Sequence, residues 1–186
     1  PGVPGGEAKQ EQWLGPDLAG KHFVQFITRE RKDRSRPEVA RQWIERLVAA
    51  VRTHDQRHLV TVGLVPWSLD RPGLSSGFVP EQVAGKLDFV AVHLYPHTGK
   101  IEESLETLRG FAIGKPVIIE EIFPLHCSAD ELGQFIERSQ GTAAGWIGFY
   151  WGRTPEEYRS REGLADAVTL KWLELFQEKR AAMVGP

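Results

Sequence analysis

The sequence has a single cysteine, Cys127, so no disulfide can form within the chain, and one thiol leaves the compartment open. No apolar run is long enough to span a bilayer. No basic run or stripe suggests nucleic acid, no acidic tail appears, and the net charge of -2 is close to zero. Phosphate-binding glycine loops and dinucleotide fingerprints are missing. There is no Gly-x-Ser-x-Gly elbow, and nothing around Cys127 marks it as a thiol nucleophile. His97 and His126 invite the thought of a metal. The spacing that metal sites use, two histidines one helical turn apart with a third ligand, is absent. The expectation is therefore a protein without metal or cofactor that binds neither nucleic acid nor membrane.

What is present is 186 residues, enough for one domain with a sizeable core. The first residue is Pro1, and the opening PGVPGGEAKQEQ reads as loop. Residues 1–34 are expected to be mostly irregular, around Trp13, Leu14 and an apolar patch at 22–27. A start on proline suggests a piece of a longer polypeptide or a processed product, for which a missing targeting signal carries no meaning.

A helix begins at a capping box in which Ser35 caps and Glu38 reaches back. Val39, Trp43, Leu47 and Val51 recur every fourth residue beside Ala40, Ile44 and Val48, which predicts one buried stripe. HLVTVGLV (58–65) is a β-branched run and reads as a strand. A loop with Trp67, Asp70, Pro72 and Gly73 follows, then a short helix at 80–86 at best. DFVAVHL (88–94) is the second strand, and 100–110 is helical. GKPVIIEEIFP (114–124) holds the third strand, at 116–121. Ser128 and Glu131 make a second capping box for a helix to about residue 138. WIGFYW (146–151) is the fourth strand, and a last helix covers 164–179 with Leu170, Leu173 and Phe176 inward.

Strands alternating with helices imply an α/β fold with parallel pairing and right-handed crossovers. An open doubly wound sheet and a (β/α)8 barrel share this pattern. Trp67, His93, Glu121 and Trp151 fall at or just beyond the C-terminal ends of four successive strands, the ends that a barrel gathers around one mouth. An open sheet would carry a glycine-rich loop after the first strand, where this chain has VPWSLDRPG. Half a TIM barrel is favoured. Such a half would leave sheet edges unpaired, so its N-terminal half is expected upstream.

Adjacent strand residues point to opposite faces, so Glu120 and Glu121 are not expected to aim the same way. Taken alone, a pair of glutamates at a strand end is most simply solvated. Their placement beside histidine and tryptophan strand ends raises the weight of function. His93 and Tyr95 share one side of the second strand's end and can donate hydrogen bonds to a carboxylate or a hydroxyl-rich ligand. A lone half-buried histidine would otherwise be a satisfied core group. Trp67 and Trp151 can offer flat apolar faces to a sugar ring, whereas Trp43, Trp146 and Trp172 fall inside elements and are expected to pack.

DFVAVHLYP, GKPVIIEEIFP and GWIGFYWG, in that order, resemble the second half of cellulase-like glycoside hydrolases of the family 5 type, in the clan of retaining barrels. ARQWIERLVAAVRTHD followed by RHLVTVG resembles the segment before and through strand five. The resemblance covers most of residues 37–151 and rests on the ordered set. It implies that the whole chain is the C-terminal part of one catalytic barrel, about strands 5 to 8. It implies Glu121 as nucleophile, five residues after Pro116, with Glu120 as a supporting neighbour. It also implies His93 and Tyr95 at the substrate, with Tyr95 bonding the nucleophile, and Trp151 as the floor of a sugar subsite; Trp67 joins the substrate-binding set. The implied activity is retaining hydrolysis of a β-linked oligo- or polysaccharide of β-glucan or β-mannan type. The chain departs from the family pattern after the nucleophile, where Ile122, Phe123 and Pro124 stand instead of an aromatic and then glycine. The acid/base glutamate of Asn-Glu-Pro at strand four is not included. Pro1 stands where that motif's proline would fall, which places the acid/base upstream of it, so the fragment alone is expected to be inactive. Two rivals remain: a non-catalytic carbohydrate-binding or degenerate barrel, and a metal-dependent barrel hydrolase.

Overall fold

The structure, a computed structural model, describes residues 17–18, 21–22, 32–69 and 76–184. Most of the expected loop over 1–34, with Trp13, Leu14 and residues 23–27, lies outside the described residues, as do Asp70, Pro72 and Gly73. Within the first stretch, β1 (Asp17–Leu18) pairs antiparallel with β2 (Lys21–His22). The strands β3 (Gly63–Leu64), β4 (Val90–His93), β5 (Val117–Ile122) and β6 (Ala143–Gly148) form a four-stranded sheet in that order. β3 pairs parallel with β4, and β5 with β6. Parallel neighbours need a crossover between them, and helices supply it.

By its internal contacts the chain divides into two compact units, Pro1–Val92 with Gly110–Pro116, and His93–Arg109 with Val117–Pro186. In the first, α1 (Arg36–Arg52) starts where Ser35 Oγ accepts the Glu38 N–H at 3.3 Å. Only half of the expected capping box forms, because the Glu38 carboxylate accepts from Gln42 Nε2 instead. The buried row is Val39, Ala40, Ile44 and Val48. Trp43, Leu47 and Val51 form its exposed flank, and Trp43 meets Phe78 edge-on at 5.9 Å. The stripe is thus rotated from the expected one.

β3 is also shorter than the run 58–65 suggests. Asp88 Oδ2 accepts the Val60 N–H at 2.6 Å, and Thr61 Oγ1 donates to the Phe89 carbonyl at 2.8 Å. Side chains therefore take the backbone partners there before a regular ladder begins. A 3-10 turn at Pro66–Ser68 follows β3, and α2 (Pro80–Val83) continues into another at Ala84–Lys86. Leu64, Val83, Leu87, Val90, Val92 and Phe111 fill this unit's core. Gly114, at φ +86°, supplies the left-handed turn that launches GKP, and Lys115 Nζ donates to the Leu87 carbonyl.

The second unit holds α3 (Ile101–Arg109), β5, α4 (Ala129–Ser139), β6, α5 (Pro155–Arg159) and α6 (Leu164–Val184). α4 has the full capping box: Glu131 N–H donates to Ser128 Oγ at 3.1 Å, and Ser128 N–H to Glu131 Oε2 at 3.0 Å. Its core is Leu105, Leu108, Ile119, Ile122, Leu132, Phe135 and Ile136. α6 runs five residues past the expected end at 179, and Leu170, Leu173 and Phe176 are half-buried. β6 sits three residues earlier than expected. After Gly148 the chain turns, with Tyr150 N–H donating back to the Gly148 carbonyl at 2.9 Å. Trp151 is therefore a loop residue and not the last residue of a strand.

Candidate functional site

The second unit brings four of the predicted site residues together: His93, Tyr95, Glu120 and Glu121. β5 begins with alternating burial, Val117 and Ile119 buried and Ile118 between them half-buried, although its pairing with β6 already shifts register between Val117 and Ile118. The alternation then breaks. Ile119 pairs with Trp146 and Ile122 with Gly148, three steps along β5 against two along β6. The extra residue is a bulge, and it spans Glu120 and Glu121. Burial shifts with it, from odd positions before the bulge to Ile122 after it. This corrects the expectation that the two carboxylates must diverge. A strict period of two would separate them, but the bulge lets both reach one side chain.

That side chain is His93, the last residue of β4. Its Nε2 lies 2.9 Å from Glu120 Oε1, and its Nδ1 lies 3.2 Å from Glu121 Oε2. All three side chains are 26% exposed, so the cluster is sheltered but reachable. Tyr95, two residues on and on the same side, donates its hydroxyl to the same Glu121 Oε2 at 3.0 Å. Leu94 points the other way into the core, and its N–H donates to the Glu121 carbonyl at 3.0 Å. Glu121 is thus fixed through both backbone and side chain. Partial burial, followed by the hydrogen bond to Glu121 and that group's charge, holds the Tyr95 phenol well above its ordinary range. Tyr95 is a proton donor through the neutral range. Among the described residues, nothing hydrogen-bonds Glu121 Oε1. The arrangement is a carboxylate with one oxygen held by neighbours and the other unpartnered among the described residues, which suits a nucleophile, a base or an acceptor for ligand hydroxyls.

The loops around this cluster are tied down. Glu131 does more than cap α4, because it also accepts the Gly99 N–H at 2.8 Å and the Thr98 hydroxyl at 3.2 Å. These bonds, the Gly99 and Ser128 amides foremost, hold the Glu131 carboxyl below its ordinary value. The rings of His97 and His126 stack at 4.6 Å, and a parallel bridge joins their backbones. The Ser-x-x-Glu spacing revealed Glu131 as a cap, but its second role depends on a loop distant in sequence. Among the described residues, no group of three or more His, Cys, Asp or Glu side chains is arranged so that it could hold a metal ion. Burial, with Glu131's charge second, pushes the Cys127 thiol up to about 11, so it stays protonated at neutral pH.

Phe123, at the point of departure from the family pattern, is the hub of an aromatic cluster. It is 6% exposed and touches Trp172 edge-on at 5.1 Å, with Tyr150 and Phe176 stacked at 5.9 and 6.1 Å. The Tyr150 and Tyr158 hydroxyls bond at 2.8 Å, which fixes the loop after β6. Trp151 in that loop is 100% exposed. Trp67 belongs to the other unit, in the 3-10 turn after β3. It is half-buried, and its Nε1 is buried without a hydrogen-bond partner among the described residues.

No protein-family model matches the chain, and no curated protein matches it. Among solved structures, it is similar to a GH128 (subgroup VI) exo-β-1,3-glucanase from Aureobasidium namibiae, with 20% identity and a TM-score of 0.43. It is also similar to a β-glucuronidase from Ruminococcus gnavus in complex with D-glucuronic acid, with 14% identity and a TM-score of 0.41. Each likeness covers 67% of this chain, but only 52% of the first protein and 25% of the second. Similarity of this size leaves the chemistry of the chain to be argued from its own residues.

Proposed function

We propose that the chain is the C-terminal half of a (β/α)8 barrel of the cellulase-like family 5 type, and that the polypeptide carrying it is a retaining glycoside hydrolase. The observation that carries this reading is the Glu121 carboxylate. It is the penultimate residue of a parallel strand, its Oε2 is held by Tyr95 with His93 beside it, and its Oε1 has no partner among the described residues. In the proposed mechanism Glu121 attacks the anomeric carbon and forms a glycosyl-enzyme. A second carboxyl group protonates the leaving oxygen and then activates water. Retention needs the two groups roughly 5 to 5.5 Å apart. Glu120 is engaged by His93, so we assign the second role to a glutamate preceding this sequence. The substrate would be a β-linked glycan of β-glucan or β-mannan type, and Trp151 would lie under one sugar.

The test is hydrolysis of β-glucan and β-mannan oligosaccharides by the carrying polypeptide, with the product anomer followed by NMR. Retained configuration supports the reading, and inversion rejects it. The 186 residues alone should not turn over, and robust hydrolysis by them would reject the division of the catalytic pair. A second reading, a non-catalytic carbohydrate-binding barrel, is favoured by one observation. Trp151 is fully exposed, and Ile147 in β6 and Phe149 just after it are also more than half exposed. Glycan binding without any hydrolysis would select it.

A further inference from the structure

We infer that Glu120 is a positioning residue: it anchors the His93 ring so that Nδ1 stays beside the Glu121 oxygen that Tyr95 also holds. The inference deepens the nucleophile reading of Glu121 and rests on it for its kinetic consequence only.

A neutral imidazole has one N–H donor and one lone-pair acceptor. His93 has a carboxylate oxygen at each ring nitrogen, 2.9 Å from Nε2 and 3.2 Å from Nδ1. Ionised carboxylates only accept. Of the two contacts, the Nε2 one has hydrogen-bond geometry, and the Nδ1 one is a close approach to the carboxylate. No other hydrogen bond or ion pair reaches the ring among the described residues. Tyr95 is the remaining titratable group recorded on the cluster, and it touches Glu121 rather than the ring.

The Glu120 bond also selects the ring's orientation. A flip about the Cβ–Cγ bond would carry both nitrogens away from their partners. With Nε2 anchored on Glu120, Nδ1 stays beside Glu121 Oε2, the oxygen to which Tyr95 donates, and Oε1 has no partner among the described residues. The β5 bulge is what makes this possible, since without it Glu120 would face away. Glu120 touches His93 and not the open oxygen, so its action on the reaction is indirect.

The direct test needs no substrate. In the 186-residue chain with 15N-labelled histidine, the His93 ring signals are assigned by their loss in His93→Gln. At neutral pH the wild type should show Nε2 as a protonated donor and the ring in one orientation. Glu120→Ala should remove the Nε2–H signal and average the ring over two orientations, while Glu120→Gln, which keeps an acceptor oxygen, should keep the Nε2–H and one orientation. A wild-type ring without the Nε2–H, or a ring unchanged in Glu120→Ala, overturns the inference. Circular dichroism checks that each variant is folded; should Glu120→Ala fail to fold, Glu120→Gln and Glu120→Asp carry the comparison, and an Nε2–H lost in both rejects it. In the carrying polypeptide, Glu120→Ala should lower kcat about tenfold or more with little change in KM, and Glu120→Gln should restore part of it. Because the ring signals are read without glycan, absence of hydrolysis would reject the function and leave this inference standing.

Discussion

The ends of β5 and β6 are neighbours in one unit, yet they are built on opposite principles. At the end of β5, Glu120 and Glu121 are paired with His93 and Tyr95, each polar group held by another. Around the end of β6, Ile147, Phe149 and Trp151 stand exposed, and the Trp151 indole N–H is their one polar side-chain group. Buried or half-buried polar groups are tolerated when they satisfy one another, and a cluster of that kind is stiff. An exposed apolar row gains nothing from its own neighbours and becomes useful only when something covers it. The first end is suited to chemistry and the second to adhesion.

The largest expected effect separates the two ends by function. Glu121→Ala in the carrying polypeptide should reduce kcat/KM by about 10⁴-fold or more, measured on the best oligosaccharide, while Trp151→Ala should leave kcat nearly intact. Equal losses from the two would erase the distinction. Next is stability. Phe123 lies between the two ends as a buried hub, so Phe123→Ala should cost about 3 to 5 kcal/mol in urea unfolding. A loss near zero would mean that its three ring contacts do not hold the loop after β6. Trp151→Ala is smaller: a fully exposed indole should leave the unfolding midpoint unchanged and weaken glycan binding by about 1 kcal/mol, roughly fivefold.

The smallest effect concerns pH. Glu131's carboxyl is lowered by the Gly99 and Ser128 amides, so its folded value lies below its unfolded one. The stability it adds is present above the ordinary glutamate value of about 4.3 and is lost as pH falls through the folded value. Glu131→Gln should therefore unfold more easily than wild type at pH 7, with the gap closing in acid. A gap that widened in acid would contradict the hydrogen bonds that clamp Thr98 and Gly99.

The sequence made the helices and the order of strands legible because capping boxes and apolar spacing are local. Ser128 with Glu131 is the clearest case. The strand bounds were less legible. β3 is short because Asp88, distant in sequence, takes the Val60 amide, and β6 ends early because the chain turns at Gly148. His93 and Tyr95 could be placed on one side from the period of a strand. Glu120 could not be placed with them, because that same period fails at a bulge. One hint was available: Ile119 and Ile122 are three apart, an odd spacing for two residues that both face a core. Phe123 looked like a departure from a family pattern, and its role as a ring hub depends on α6, about fifty residues later in the chain.

The central claim is that Glu121 is the nucleophile. The most direct measurement is trapping of the carrying polypeptide with a 2-fluoro-sugar inactivator, followed by mass spectrometry of its peptides. The account predicts one glycosyl adduct, on Glu121, that is lost in Glu121→Ala and kept in Glu120→Gln. Saturable sugar binding with no adduct, or an adduct on Glu120, would contradict it.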